Sequence, residues 1–364
     1  MVWRQAKVLR TTDGVSGIDR SVQGSQMKST ISLVLVCCLS AAFSVVGQTP
    51  GDDEVIRVET DVTNLSVTAT DKQHRFITTL RAEDIRVLED GVPQQLFTFQ
   101  RETERPLAIA LLIDVSGSEE RTLPQEKAAA RTFVESVIKS SKDQAAIIPF
   151  TGSAFLEQPL TRDVLSLYRA LERVDVAMPT YMGSGRPLSG IPTGPGMKAP
   201  PPDGSTAIWD AVALASSEVL SPSQGRRRAI ILLTDGWDTS SRLVSDNARD
   251  RALEAETVIY VIGIGDSKQE GVNRNPIRAL AERTGGLAFF PKKEDDLRTA
   301  FSEIEQELRT QYLIAYSSSN KNRDGAYRQL RIEIMNPELR KEDLKLRYRP
   351  GYFAKPLRIQ NPKP

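Results

Sequence analysis

The sequence has few of the residues on which much enzyme chemistry depends. Its 364 residues include two cysteines, Cys37 and Cys38, and one histidine, His74. With one imidazole and both thiols in a single apolar run, the chain has little material for Ser-His or Cys-His catalysis. It also has no Gly-x-Gly-x-x-Gly phosphate-binding motif. We therefore expect a protein that is not an enzyme.

Positive and negative charges are also nearly equal in number. The chain has 48 Lys and Arg residues against 47 Asp and Glu residues, for a formal net charge of +1. This balance gives no support for a nucleic-acid partner, and we interpret the basic run 226–228 as a solvated flank of a buried strand. The composition, 26% charged and 40% hydrophobic, is typical of a folded protein.

An apolar run over residues 31–43 contains both cysteines and is short for a transmembrane helix. Lys28 precedes it and small residues follow it, which is the order of a secretory signal peptide. We predict a signal peptide at 27–47, with Met27 as the true start and residues 1–26 as a misread upstream leader. The mature protein is then periplasmic, cell-surface or secreted and has no disulfide. The alternative is a retained short membrane anchor; no other membrane contact is expected.

Residues 48–104 show the alternation of short β-strands and no helical period. Strands are predicted at 55–59, 62–70, 76–80, 85–88 and 95–100. The C-terminal segment 311–353 returns to this pattern, with strands at 312–317, 327–334 and 344–349, and 354–364 is a tail. Three strands alone are marginally stable, so we expect the two end segments to pair in one small β-sandwich.

Residues 105–310 instead alternate apolar strands with amphipathic helices. Strands are predicted at 107–113, 144–150, 228–234, 257–264 and 287–290, and helices at 124–140, 164–174, 206–220, 276–284 and 294–309. Continuous apolar strands are typical of a parallel sheet that is covered on both faces. The pattern predicts an α/β fold with a doubly wound, mostly parallel sheet, inserted in the β-sandwich.

Oxygen-bearing side chains follow three of these strands or precede the next helix. They are Asp114, Ser116 and Ser118 in the first loop, Thr206 in the second and Asp235 in the third. Singly, each is explained by a helix cap or a turn. Together they lie where doubly wound sheets bind ligands. Alternate residues of an extended segment point the same way, and we interpret Gly117 as permitting a tight turn between the serines.

These donors are hard oxygens, which favour Mg²⁺, Mn²⁺ or Ca²⁺ over zinc or copper. We expect Mg²⁺, with Mn²⁺ and Ca²⁺ as alternatives. Because most of the donors are neutral hydroxyls, the ion keeps much of its charge and attracts another anionic oxygen. The expected partner is therefore a protein that presents an Asp or Glu.

The order Asp-x-Ser-x-Ser, then Thr, then Asp resembles the metal-ion-dependent adhesion site of von Willebrand factor A and integrin inserted domains. Residues 106–309 follow the element order of that family. The resemblance implies that Asp114, Ser116, Ser118 and Thr206 are ligands, and that Asp235 is a ligand or acts through water. The flanks are similar to those of bacterial exported proteins with this domain. In that group Gly often stands where this chain has Ser205.

Other residues near the loops receive a plainer interpretation. We interpret Glu119 and Glu120 as favourable charges at a helix N-terminus, and Asp238 as a solvated loop acid. The Pro- and Gly-rich segment 177–203 either overhangs the site or is disordered.

We expect an exported protein-binding module that captures a partner's carboxylate through the cation. The alternative is an assembly or scaffold protein of the cell envelope in which the cation is structural. A hydrolase with a metal-activated water is a third hypothesis, but it lacks an evident general base. The helix 294–309 runs almost directly into the strand at Tyr312, so we expect ligand binding to be coupled to the sandwich.

Overall fold

A computed structural model describes residues 62–101, 105–138, 142–176, 186–188, 205–265 and 271–356. The predicted leader, signal peptide and strand 55–59 lie outside these residues, as do most of the segment 177–203 and the end of the tail. In the described part of the chain, no helix combines the length and apolar character needed to cross a membrane.

The strands are numbered in chain order. They are β1 Val62–Thr70, β2 Ile85–Glu89, β3 Val92–Pro93, β4 Leu96–Arg101, β5 Leu107–Asp114, β6 Gln144–Phe150, β7 Phe155–Leu156, β8 Gln158–Thr161, β9 Arg186–Pro187, β10 Arg227–Thr234, β11 Thr257–Gly263, β12 Ala288–Phe289, β13 Tyr312–Ser317, β14 Tyr327–Ile334, β15 Lys345–Arg347 and β16 Gly351–Phe353.

The helices follow the same convention. They are α1 Leu123–Val137, α2 Val164–Arg173, α3 Ile208–Leu214, α4 Ser245–Glu254, α5 Arg274–Thr284, α6 Glu294–Thr310 and α7 Pro337–Lys341. Short 3-10 turns cover Ala82–Asp84 and Gly117–Glu119, and α3 continues as a π-helical segment, Ala215–Leu220.

The central sheet has the strand order β12-β11-β10-β5-β6-β8. Its pairings are parallel except that of β6 with β8. Every residue of β5 is buried, because alternate side chains enter two separate cores. Ile109 and Leu111 pack with α1, α2 and α6 on one face, and Ala110 and Leu112 pack with α3, α4 and α5 on the other. The sheet is therefore doubly wound, as predicted.

The two ends of the described chain build two further four-stranded sheets. Their strand orders are β15-β1-β13-β4 and β16-β14-β2-β3, so each sheet mixes N-terminal and C-terminal strands. Leu65 and Val67 from one sheet and Val87 and Leu330 from the other share a hydrophobic core. The chain leaves this sandwich after β4 and returns through β13, which confirms the predicted insertion of the α/β unit.

Several elements differ from the sequence prediction. The strand expected at 76–80 is wrong, because only Phe76 forms a β-bridge, with Thr70. The Tyr312 hydroxyl donates to the Ile77 carbonyl at 3.0 Å and accepts from the Leu80 amide at 3.0 Å, in place of a strand partner. Helix α4 and strand β8 were not predicted.

Candidate metal centre

Asp114 ends strand β5 at the carboxyl edge of the sheet and is fully buried. Both of its carboxylate oxygens accept hydrogen bonds. The Thr234 hydroxyl at the end of β10 donates to Oδ2 at 2.7 Å, and the Ser116 amide donates to Oδ1 at 3.1 Å. The carboxylate is therefore held in one orientation by its own loop and by the neighbouring strand.

Ser116 and Ser118 follow Asp114 and bring their hydroxyl oxygens to 3.1 Å from each other. The intervening Gly117 begins a 3-10 turn. Gly117 is not among the glycines with a positive φ, and a Cβ atom there would meet nothing within 4 Å. A tight turn is therefore present at Gly117, but it does not depend on the conformational freedom of glycine, since other residues fit this backbone.

The third loop adds the buried carboxylate of Asp235, which accepts from the Trp237 amide at 3.0 Å. The carboxylates of Asp114, Asp235 and Glu119 each offer an oxygen within 4.8 Å of the other two. Two of the predicted ligands thus converge across neighbouring strands. The third member of the group, Glu119, was not predicted as a ligand.

The second loop is bound to the third. Thr206 is 5% exposed, its amide donates to the Thr239 hydroxyl at 2.8 Å, and its carbonyl accepts from the Thr239 and Ser240 amides at 2.8 and 3.0 Å. The Ser205 hydroxyl is buried and accepts no hydrogen bond from a described residue. Gly204 lies outside the described residues.

Asp238 fixes the helix that follows the second loop. Its Oδ1 atom accepts from the Ile208 amide at 2.7 Å and from the Trp209 amide at 3.4 Å, at the start of α3. The side chain is partly buried, and burial raises its pKa. Asp238 is therefore a cap supplied from another loop, and the expectation of a solvated acid is wrong.

Glu119 does not lie at the surface, although Glu120 beside it is exposed. Glu119 is fully buried and its Oε2 atom accepts from the Thr122 hydroxyl at 2.5 Å. The interpretation of Glu119 as a favourable charge at a helix N-terminus is thus wrong, because burial disfavours its charged form. Glu126, in α1, is also fully buried. The sequence spacing could have indicated that Glu119 and Glu126 lie together, because seven residues correspond to about two helical turns and place both side chains on one face.

Burial changes the pKa values of the acidic side chains at the candidate centre. It raises the pKa of Asp114 to about 7, against the hydrogen bonds from Thr234 and Ser116, and the charge of Asp235 raises it further. Burial likewise raises the pKa of Glu119 and that of Glu126, and the charges of Asp114 and Asp235 add to both shifts. Without a counter-charge, the ionised carboxylates repel one another in a poorly hydrated space.

The donor set fits a hard divalent cation. Two oxygens on opposite sides of one ion are separated by about 4 Å for Mg²⁺ and by about 5 Å for Ca²⁺. The spacing of up to 4.8 Å among the three carboxylates lies close to this range. The donors are carboxylates and hydroxyls with no His or Cys among them, which is the chemistry that Mg²⁺, Mn²⁺ and Ca²⁺ prefer.

Comparisons with known proteins agree with the fold of the α/β unit. Two sequence models of the von Willebrand factor type A domain match residues 109–237 and 197–303. No curated protein matches the chain.

The chain is also similar, at low sequence identity, to several solved structures. The conserved hypothetical protein BatB from Bacteroides thetaiotaomicron is 21% identical, with a TM-score of 0.40 over 56% of this chain and 99% of its own. Proximal thread matrix protein 1 of the mussel byssus, with a zinc-occupied metal-ion-dependent adhesion motif, is 18% identical, with a TM-score of 0.45 over 61% of this chain and 50% of its own. A von Willebrand factor type A protein from Catenulispora acidiphila is 13% identical, with a TM-score of 0.44 over 76% and 75%.

Proposed function

The chain carries a von Willebrand factor type A domain over residues 109–303, and we propose that this domain binds a divalent cation and captures a partner protein's carboxylate through it. One observation carries the proposal. Asp114 and Asp235 bring carboxylate oxygens within 4.8 Å at the carboxyl edge of the sheet, and the paired hydroxyls of Ser116 and Ser118 lie in the same loop as Asp114.

The proposed ligands are Asp114, Ser116, Ser118, Thr206 and Asp235. The bound ion, which we take to be Mg²⁺ with Mn²⁺ and Ca²⁺ as alternatives, supplies a concentrated positive charge at the loops. The chain's own part is to hold the donors in place. Thr234 orients Asp114, and the hydrogen bonds of Thr239 and Asp238 hold the second loop against the third.

An exposed aromatic residue adjoins the proposed site. The Trp237 side chain follows Asp235 by two positions and is 39% exposed, and its ring nitrogen donates to the Gly271 carbonyl at 3.2 Å. This bond limits the motion of the ring. A fixed aromatic surface beside a charged point is typical of protein-binding surfaces, so we assign Trp237 to the partner interface.

The proposed setting is outside the cytoplasm, on the basis of the signal-like sequence at 27–47. We propose binding without catalysis. His74 lies in the turn after β1, in the sandwich, and the acids of the candidate centre are buried. Among the residues that the structure describes, we assign none the role of general base for a metal-activated water.

The burial of the proposed ligands supports a second candidate function, that of a scaffold protein in which the cation is structural. Asp114 is 0%, Ser116 2% and Asp235 6% exposed, so a bound ion would be largely enclosed by the chain. In that case the ion stabilises the loops, and the partner contacts lie elsewhere on the domain or on the sandwich.

A peptide array separates the two functions. It carries acidic peptides and copies with Asp and Glu replaced by Asn and Gln. We expect the full chain to retain the acidic peptides in Mg²⁺ and to release them in EDTA. Asp114→Ala should lose this retention, and Trp237→Ala should weaken it while still binding the cation. Asp163→Ala, which changes an exposed cap on α2, is the matched control. Equal retention by folded Asp114→Ala protein would overturn the carboxylate-capture proposal.

A further inference from the structure

Glu119 lies inside the candidate metal centre without belonging to the motif that defines it. Its side chain is 0% exposed and offers a carboxylate oxygen within 4.8 Å of oxygens of both Asp114 and Asp235. One oxygen accepts from Thr122, whereas Oε1 is buried and accepts no hydrogen bond from a described residue. A buried carboxylate oxygen without a donor is costly in free energy. A cation among the three carboxylates would remove that cost.

Glu126 provides a second, separate observation. It lies in the first turns of α1, which packs its apolar side chains against the central sheet. The side chain is 0% exposed, and its polar neighbours are the Thr122 hydroxyl and the Glu119 carboxyl. The charges of Asp114 and Asp235 act on this carboxyl as well and raise its pKa. A cation bound to Glu119 would stabilise the charged form of this buried acid.

We propose that Glu119 is a further ligand of the cation, together with Asp114 and Asp235, and that Glu126 is an outer anion that stabilises the bound ion. This inference rests on the cation site proposed above. Three carboxylates carry more negative charge than one divalent ion can neutralise. The cation therefore binds tightly to the free protein and has less need of an acid from outside.

Regulation of the site follows from this arrangement. An incoming partner carboxylate has to compete with Glu119 for the ion, so Glu119 occupies the place of a ligand in the unbound protein. Removing its charge should weaken cation binding and, at saturating cation, strengthen the capture of acidic peptides. A purely structural glutamate would not produce these opposite changes.

Titration of the metal-free full chain with Mn²⁺, followed by the electron paramagnetic resonance signal of the free ion, tests the proposal. We expect Glu119→Gln to weaken Mn²⁺ binding by about 10-fold or more, as loss of a ligand or its supporting partner does elsewhere. Glu126→Gln should weaken it by about 3-fold, because a more distant charge interacts less strongly with the ion. Glu120→Gln, a neighbour with the same chemistry and an exposed side chain, is the matched control and should bind as the unaltered protein does.

Thermal melting separates this role from a structural one. Glu119→Gln replaces a buried acid, which the metal-free fold has to hold either protonated or charged without a counter-ion, by a neutral amide. We therefore expect the metal-free variant to melt at a higher temperature, with a smaller increase on adding Mn²⁺. A lower melting temperature in both conditions and unchanged Mn²⁺ affinity would overturn the inference and leave Glu119 as a partner of Thr122. If both Asp114→Ala and Glu119→Gln bind Mn²⁺ as the unaltered protein does, the proposed cation site fails. If Asp114→Ala loses Mn²⁺ binding but Glu119→Gln keeps it, the cation site stands and the role of Glu119 is rejected.

Discussion

At the scale of single residues, Thr234 determines the orientation of the most buried ligand. Its hydroxyl donates to Asp114 at 2.7 Å and accepts from the Gly236 amide at 3.1 Å. One side chain therefore links the first ligand loop to the third. The sequence places Thr234 at the end of an apolar strand, where β-branched residues are common, so its role in the site was not predicted.

Thr234→Val keeps the shape of this side chain and removes its hydroxyl. We expect cation affinity to fall by about 10-fold, since partners that orient a ligand commonly contribute that much. Isothermal titration with Mn²⁺ measures the change. Thr257→Val is the control, because Thr257 is a buried threonine on β11 whose hydroxyl donates to the Ala255 carbonyl. An equal loss in both variants would mean that the effect is not specific to Asp114.

The raised pKa of Asp114 predicts how the metal-free protein responds to pH. Burial raises this pKa from 3.8 to about 7, so the folded state keeps a proton that the unfolded chain releases. Between about pH 4 and pH 7 the folded state therefore binds more protons, and the free energy of unfolding falls as pH rises, by up to about 1.4 kcal/mol per pH unit.

Calorimetry at pH 5 and pH 8 measures this effect as a melting temperature. We expect the metal-free protein to melt lower at pH 8, and added Mg²⁺ to raise the melting temperature more at pH 8 than at pH 5. Asp114→Asn should reduce the pH dependence. If the metal-free variant and the unaltered protein show the same pH dependence, Asp114 does not titrate as described.

At the scale of elements, the third ligand loop depends on a glycine where the first does not. Gly236 has a φ of +83°, and a Cβ atom there would lie 2.5 Å from the Asn273 carbonyl oxygen at the start of α5. The loop can pack against that helix only without a side chain at this position. Gly117, in the first loop, has open space around it.

Gly236→Ala should therefore destabilise the fold by about 1–3 kcal/mol, the cost of a strained backbone, and should weaken cation binding by displacing Asp235. Gly117→Ala should leave the free energy of unfolding almost unchanged. Urea denaturation of both variants measures the difference. Similar stabilities would show that the third loop adapts without strain.

A helix or strand can be predicted from the sequence when its buried side is marked by a regular pattern of apolar residues. The strands predicted at 144–150, 312–317 and 327–334 coincide with the observed ones because buried strands have a continuous or alternating apolar pattern. Helix α4 was missed because its buried face consists only of Ala248, Ala252 and Leu253. A polar helix with two small buried residues gives little periodic signal.

The candidate centre was predictable only where a motif marks it. Asp114, Ser116 and Ser118 occupy alternate positions from the end of β5, and the structure brings the two serine hydroxyl oxygens to 3.1 Å from each other. Glu119 and Glu126 were not assigned to it, since acids at a helix start usually face solvent. Their burial depends on how α1 packs on the sheet, and that arrangement is set by tertiary structure.

At the scale of the whole molecule, the α/β unit enters and leaves through adjacent strands of one sheet. Strand β13 pairs with both β1 and β4. Glu307 in α6 accepts from Thr68 on β1 at 3.1 Å and from Arg347 on β15 at 2.6 Å. The helix that precedes β13 is therefore bonded to the sandwich by a buried polar network as well as by the chain.

This connection predicts that ligand binding changes the sandwich. We expect Mg²⁺ with an acidic peptide to alter hydrogen exchange across residues 294–316, because a shift of α6 acts on β13. Glu307→Ala should reduce the change in β13 while leaving the change at the ligand loops. Identical exchange across 294–316 in the free and bound states would contradict the coupling.

In the proposed function, a partner's carboxylate completes the shell of a cation held at Asp114. Electron-nuclear double resonance of the Mn²⁺-loaded protein, with a bound peptide whose Asp carboxyl is labelled with ¹³C, tests this contact directly. Direct coordination predicts a strong ¹³C coupling in the unaltered protein and loss of both the bound Mn²⁺ signal and the coupling in Asp114→Ala. Bound peptide and bound Mn²⁺ without any ¹³C coupling would contradict the claim.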